Sequence, residues 1–333
     1  MASPVSADTG GHGSVESLVW ALSEGLTAAG HDVTVFAAAG SEVAGELVAT
    51  LPGPYAREGS PGDWHLCEWI NLCRAVQESQ RFDIVHFHSY LWALPLEPLS
   101  RAPMVHTLHI WPYEDDAFLW RSYPKARVTA LSHAQWGDFP DLHPVCVVPH
   151  GIDPTRFPAR TESDGYACYL GSFRPGKGPL EAIAVARAAE MPVVLAGPEN
   201  GWFTENVAPL IDGEAVRYVG PVTGTARSDL LGGAAALLAP YTSPEPFGLV
   251  LIEAMMCGTP VVTTAIGAAP EVVDHGVTGM VVADTNQLPE AVAEAVMLDR
   301  RAVRRRAEER FSVARMVDGY LKVYEGIVNP GVR

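Results

Sequence analysis

The 333-residue sequence predicts an α/β protein of two doubly wound, Rossmann-like domains facing across a cleft. Three observations predict it. Short apolar, strand-like runs alternate with helical periodicity from end to end. The alternation starts afresh near residue 166, and a stretch rich in proline, glycine and polar residues, GIDPTRFPARTESDG (151–165), separates the two series. The length suits two domains of roughly 100–200 residues. With 48% hydrophobic and 19% charged residues the chain can bury two cores, which excludes general disorder.

In the first half the expected strands are DVTVFA (32–37), FDIVHFH (82–88), PMVHTLH (103–109), ARVTALS (126–132) and VCVVPH (145–150). Ser14 to Ala29 reads as a helix. Val15, Leu18, Val19, Leu22 and Leu26 fall on one face at a 3.6-residue period, and Gly30 supplies the stop. The opening is unusual. TGGHGSVES (9–17) reads as a glycine turn and helix start, yet only MASPV precedes it, where a doubly wound domain begins with a buried central strand. The expectation is a stub or missing first strand, with a natural start several residues upstream and a less stable first domain in the present chain.

The second half supplies YACYLGS (166–172), MPVVLAG (191–197), AVRYVG (215–220), AALLAP (235–240), TPVVTT (259–264) and GMVVA (279–283). The expected division is a first domain over 1–153, a linker over 154–165, a second domain over 166–309, and a closing helix over 310–333. Ligands of such sheets bind beyond the carboxyl ends of the strands, so two facing sheets create one deep cleft.

A net charge of -16 argues against a nucleic-acid partner and against docking on an anionic membrane. Five scattered cysteines without a C-x-x-C pair speak against a disulfide framework or zinc site and for a reducing cytoplasm. No apolar run approaches the roughly 18–20 residues of a membrane span, and the N-terminus lacks the pattern of a signal peptide.

Four groups of residues carry candidate chemistry. In SPEPFGLVLIEAMMCGTPVV (243–262), Glu245 sits in a proline-flanked loop, and a helix begins near Phe247, Gly248 and Leu249, where unpaired N–H groups favour phosphate or sugar oxygens. Glu253 lies inside that apolar helix and must reach a cleft or a partner. Spacing alone leaves open that a neighbouring arginine satisfies it. In YLGSFRPGKG (169–178), a strand enters a loop whose glycines let backbone approach oxygen and whose Lys177 offers a mobile charge. This reads as a diphosphate clamp or as a basic surface turn. It is not a P-loop, because the G-x-x-x-x-G-K-[ST] order is absent.

His86 and His88 end one strand; His106 and His109 end the next. Alternation puts His106 and His109 on opposite faces, so one of them at most is functional if the strand persists. The spacing H-x-H…H-x-x-H is not a zinc pattern, and no metal is expected. Gly10, Gly11 and Gly13 form a glycine turn. Glu114, Asp115 and Asp116 read as an acceptor-side loop or a solvated turn. The arginines of 300–310, interleaved with Glu308 and Glu309, read as a solvated helix face.

The segment EPFGLVLIEAM…CGTPVV resembles the E-x7-E segment of glycosyltransferase family 4, whose fold is GT-B. The similarity runs along nearly the whole chain, through GGHGSVES, GH-x-VTVFA, DIVHFHS, HTLH, VVPHGID, YLGSFRPGKG and PEVVDHGVTGMVV. The ALSHAQW…VVPHGID and PLEAI segments look nearest to the branch that includes avilamycin-pathway enzymes. The resemblance implies that Glu245 contacts donor-sugar hydroxyls, that Glu253 contacts the ribose, and that Lys177 holds the diphosphate. It also implies that His109 lies near the reacting centre, with Gly11 and Gly13 against the diphosphate and His88 and Glu114 on the acceptor side. One departure is Ser172, where the family has an arginine; Arg174 is the nearest cation. The implied reaction is metal-independent transfer of a hexose-type sugar from a nucleoside-diphosphate sugar to a hydroxyl of a soluble acceptor, with anomeric configuration retained. That donor is a co-substrate, and no cofactor is expected. Two alternatives stand beside it: a non-catalytic sugar-nucleotide-binding protein, which Ser172 and the short N-terminus keep open, and a sugar-nucleotide epimerase of the same architecture, which the EPFG helix disfavours.

Overall fold

The computed structural model describes residues 1, 3–6, 14–55 and 60–329. It divides into two compact units, Met1–Gly151 with Val313–Arg333, and Ile152–Ser312.

The first unit runs α1 (Ser14–Ala28), β1 (Thr34–Ala38), β2 (Glu46–Leu51), α2 (Trp64–Gln77), β3 (Val85–Phe87), β4 (Met104–Thr107), α3 (Glu114–Ser122), β5 (Val128–Ala130) and β6 (Cys146–Val147). Every pairing is parallel. The strands form two sheets, β1 with β2, and β3-β4-β5-β6 in that order. Strand β2 is not among the expected strands. ELVATL buries only Leu51 fully, because it sits at the outside of β1, and an edge strand carries little apolar signal. Residues 3–6 form no strand. They lie against β1: the Met1 ammonium donates to Phe36 O at 2.9 Å, Glu42 N donates to Val5 O at 2.9 Å, and Val5 is buried against Val35 and Ala37. Pro4 has no N–H to offer a ladder.

The second unit runs β7 (Tyr166–Leu170), α4 (Pro179–Ala188), β8 (Val193–Ala196), α5 (Gly201–Asn206), β9 (Val216–Tyr218), α6 (Gly224–Gly233), β10 (Ala234–Ala239), α7 (Leu249–Met256), β11 (Val261–Thr264), α8 (Ala269–Val272), β12 (Gly279–Val282), α9 (Leu288–Ala295) and α10 (Arg300–Phe311). Its six parallel strands take the order β12-β11-β10-β7-β8-β9. This is the doubly wound order, with its reversal between β7 and β10. Strand β10, AAALLA, is buried at every residue, as a central strand covered on both faces must be. The core joins Ala167, Tyr169, Leu195 and Leu238 to Ile183 of α4 and Val292 of α9.

The segment expected as a linker, 154–165, is instead part of the second unit. Phe157 is buried and Arg160 N donates to Cys257 O at 3.0 Å. Helix α11 (Val313–Val328) belongs to the first unit, where Met316, Val317 and Tyr320 pack with Ala21, Leu22, Val105 and Val148.

The arginine run corrects a further expectation. Arg300, Arg304 and Arg310 are not a solvated face. Arg300 donates to Gly232 O at 2.6 Å and Ala234 O at 2.7 Å, Arg304 to Met256 O and to Pro154 O at 3.0 Å, and Arg310 to Val272 O at 3.1 Å. These carbonyls include the C-terminal ends of α6, α7 and α8, which have no intrahelical partner. One helix thus satisfies the ends of three others. Arg301 and Arg305 remain exposed.

Candidate active site

In the second unit, strand order delivers the site. The chain leaves β7 through Gly171–Gly178 and leaves β10 through Pro240–Gly248, and these strands flank the reversal where doubly wound sheets bind ligands. The two loops are tied together: Thr242 N donates to Gly176 O at 3.1 Å and Thr242 Oγ1 to Pro175 O at 3.0 Å. Gly178, at φ +72°, passes so close that a Cβ there would stand 2.0 Å from Pro240 O.

This docking brings Lys177 onto Glu245, with Lys177 Nζ donating to Glu245 Oε2. The ammonium also lies 5.4 Å from the centre of the Tyr241 ring, a cation–π contact. Burial, with the Glu245 charge second, pushes the Tyr241 hydroxyl well above its usual range, so it stays a neutral phenol. The Glu245 backbone is seated on Gly267. Ala268 N donates to Glu245 O at 2.9 Å, and a Cβ on Gly267, which has φ +60°, would stand 2.4 Å from Glu245 N. Phe247 is buried against Phe311, and Gly248, at φ 87°, caps α7 so that Leu249 opens its first turn. Arg174 and Ser172 are exposed, and among the described residues Arg174 forms no ion pair.

Glu253, on α7, is 8% exposed and paired. Arg227 of α6 donates to its Oε2 through Nε at 2.9 Å and Nη2 at 2.5 Å. The structure thus realises the neighbouring arginine that spacing left open. Sequence reading did not single out Arg227. Its only signal is a cation one turn into the helix that starts at Gly224, and the need for it arises from a glutamate 26 positions away.

In the first unit the strand ends gather four histidines. His88 Nδ1 and His109 Nε2 lie 2.9 Å apart, and His109 stacks on His150 at 5.2 Å between ring centres. His86 joins Tyr324 OH and Thr107 Oγ1, each at 2.7 Å. Strand β4 stops at Thr107, so His109 lies beyond it, while His106 is fully buried with Nε2 3.2 Å from Glu97 Oε1. Burial holds His109 down to about 3, and burial together with the neighbouring rings holds His86, His88 and His150 well below the usual range. These are neutral imidazoles. His109 Nδ1 is buried and has no partner among the described residues.

Glu114 opens α3 at the exposed end, 4.0 Å from Arg121, and Asp116 Oδ2 accepts from Tyr113 N at 3.0 Å. The acidic triplet is thus the first turn of a helix, where negative charge suits the dipole. Gly11 and Gly13 lie outside the described residues.

Residues 154–310 match the family described as Glycosyl transferases group 1, and residues 13–156 match Glycosyltransferase Family 4. The chain is 30% identical to glycogen synthase of Mycobacterium tuberculosis over 348 residues, covering 86% of this chain and 83% of that protein. This chain belongs to glycosyltransferase family 4. It is a glycosyltransferase of the GT-B type, a class that acts on nucleotide sugars. A second relative of this family 4 enzyme is D-inositol 3-phosphate glycosyltransferase of Salinispora tropica, 29% identical over 399 residues, covering 95% of this chain and 81% of the relative. Among solved structures it is similar to AviGT4, a glycosyltransferase involved in avilamycin A biosynthesis, with TM-score 0.74 and 25% identity, over 99% of this chain and 93% of that one. Sucrose-phosphate synthase from Thermosynechococcus elongatus shares the fold at TM-score 0.75 and 19% identity, over 95% and 94% of the two chains. The relatives' names point to different acceptors, so membership of the family does not choose one. Among the described residues no helix is long and apolar enough to cross a membrane, and no group of three or more histidine, cysteine or acidic side chains is arranged to hold a metal ion.

Proposed function

We propose that this glycosyltransferase moves a hexose-type sugar from a nucleoside-diphosphate sugar to a hydroxyl of a soluble acceptor, retains the anomeric configuration, and needs neither a metal nor a cofactor. The observation that carries the proposal is the meeting of Lys177 and Glu245 at the reversal of the six-stranded sheet, beside the opening turn of α7. A diphosphate there meets an ammonium and the positive end of a helix, and a sugar beyond it meets a carboxylate.

Each residue then has a task. Lys177, Arg174 and the helix opening at Phe247, Gly248 and Leu249 take up the charge that develops on the leaving diphosphate, an electrostatic contribution that fixed dipoles make without reorganisation. These groups stand in for a divalent cation. Glu245 accepts hydrogen bonds from sugar hydroxyls and orients the ring. Glu253 accepts from the ribose. His109, neutral and with Nε2 engaged by His88, is assigned to the sugar near the acceptor. Glu114 and His88 are assigned to the acceptor side, and Gly11 and Gly13 to the diphosphate.

The test is a panel of nucleoside-diphosphate sugars, each incubated with candidate acceptors while nucleoside diphosphate release and product configuration are measured. Acceptor-dependent release with retained configuration supports the proposal. Binding of sugar nucleotides with no release for any acceptor favours a non-catalytic binding protein, and an inverted product removes the retaining mechanism.

A further inference from the structure

We infer that Arg227 is the positioning residue of the ribose site: it fixes Glu253 by one carboxylate oxygen and leaves the other for the nucleotide. The inference rests on the proposed role of Glu253 and goes beyond it, since it assigns a function to a residue on a different helix that the reaction itself does not call for.

The geometry is specific. An arginine facing a carboxylate commonly makes two parallel bonds, one to each oxygen. Here both nitrogens converge on the same atom, Nε at 2.9 Å and Nη2 at 2.5 Å from Glu253 Oε2. Among the described residues Oε1 receives no hydrogen bond from protein. The carboxylate is 11% exposed and the guanidinium 29%, so the arginine stands nearer to solvent than the acid it holds. A buried carboxylate with both oxygens satisfied by arginine has little left to offer a ligand. One held by a single oxygen is both neutralised and directional.

The surroundings explain why Glu253 needs holding. Its neighbours on α7, Leu251, Ile252, Ala254, Met255 and Met256, are all buried and apolar. None of them can hydrogen-bond the side chain, and a glutamate has three torsions free to turn. Without a partner it would leave the apolar layer for water. Helices α6 and α7 both adjoin β10, one preceding and one following it, so the pair is set by the same central strand that delivers Glu245. Ser228, next in sequence to Arg227, is tied to α7 as well: Cys257 Sγ donates to Ser228 O at 3.6 Å. The arginine is therefore mounted on a helix already locked to the one that bears its partner.

The consequence is selectivity for a ribose diol. A hydroxyl donating to a charged acceptor is worth roughly tenfold or more in affinity, and the benefit depends on the acceptor being in place before the ligand arrives. The experiment is calorimetric titration of the full chain with UDP, GDP and ADP, each against its 2′,3′-dideoxy analogue. The proteins are wild type, Arg227→Met, Arg227→Lys, Glu253→Gln, and the double variant Arg227→Met/Glu253→Gln, with folding checked by circular dichroism and Tm. In wild type at least one ribonucleotide is expected to bind about tenfold or more tighter than its dideoxy analogue. Arg227→Met is expected to lose most of that ratio while leaving the dideoxy affinity within about twofold, and Arg227→Lys to restore part of it. In the Glu253→Gln background, replacing Arg227 is expected to change neither affinity, because the arginine acts through the carboxylate; neither protein of this pair leaves a buried carboxylate unpaired, so the comparison remains informative if Arg227→Met alone folds poorly. Arg227→Met with the wild-type ratio overturns the inference and leaves the reading of Glu253 standing. A wild type that binds ribonucleotide and dideoxynucleotide equally overturns the ribose role of Glu253, and the inference with it.

Discussion

Lys177 Nζ donates to Glu245 Oε2 across 68 positions of sequence, joining the loops that leave the two strands where the sheet order reverses. Neither residue is placed by its own local structure. Lys177 closes a short turn after β7, and Glu245 lies in an irregular loop after β10. What fixes them is the docking of the loops through Gly176, Gly178 and Thr242, and the seat that Gly267 provides beneath the Glu245 backbone.

Activity should therefore depend on both the carboxylate and its seat. Glu245→Ala is expected to lower turnover by about two orders of magnitude with Tm nearly unchanged, since a loop carboxylate contributes little to the core. Gly267→Ala should produce a similar loss without touching the carboxylate itself, because a Cβ 2.4 Å from Glu245 N forces that backbone away. Steady-state rates with a responsive donor, alongside thermal melts, check both. Near-normal turnover in either variant would contradict the assigned role of the loop.

The histidine cluster should make the first unit acid-sensitive. An unfolded histidine takes up a proton near pH 6.5, whereas buried His109 does so only at about 3. Below pH 6.5 the unfolded chain binds more protons than the native one, so stability falls as pH drops through the window from 6.5 towards 3 and is unaffected by these rings above it. Each ring that stays neutral contributes a slope of up to about 1.4 kcal/mol per pH unit. His109→Asn should flatten the dependence of Tm on pH between 6.5 and 5. An unaltered slope would mean that the ring is already protonated in the native state.

The α10 arginines should matter to stability rather than to chemistry. Arg304→Met removes the donor from Met256 O, Pro154 O and Phe157 O together, and unsatisfied buried carbonyls cost about 1–3 kcal/mol each where water cannot reach them. The expectation is a fall in stability of about 2 kcal/mol or more, read from denaturant unfolding, with donor affinity unchanged in the folded fraction. Arg305→Met, at an exposed position of the same helix, is the control and should lie within about 0.5 kcal/mol of wild type.

Turnover should survive a chelator. If Lys177, Arg174 and the α7 opening carry the leaving-group charge, rates in excess EDTA should match those in magnesium. Complete loss restored by magnesium would instead direct attention to Glu114 and Asp116 at the start of α3.

The α/β class and most strands were legible because buried parallel strands leave continuous apolar runs; AALLAP and TPVVTT are plain examples. Strand β2 was not, because an edge strand half open to solvent has no period to read. The division into units fell at Gly151 and Ser312, where proline and polar residues suggested a linker through 165. Composition reports turn chemistry, not whether Phe157 and Arg160 find partners in the following unit.

By itself the sequence determined the fold class, the resemblance to family 4 and the identity of Lys177, Glu245, Glu253 and His109 as residues of interest, because each lies in a local pattern that a strand end, a glycine loop or an apolar helix imposes. Only the tertiary structure decided their partners. Glu245 meets Lys177, Glu253 meets Arg227, His109 meets His88, and Arg304 meets Met256, over separations of 68, 26, 21 and 48 residues. Periodicity and capping act over a few residues, whereas the cost of an unpaired buried charge or carbonyl is settled by whatever group the packed chain brings within hydrogen-bond reach.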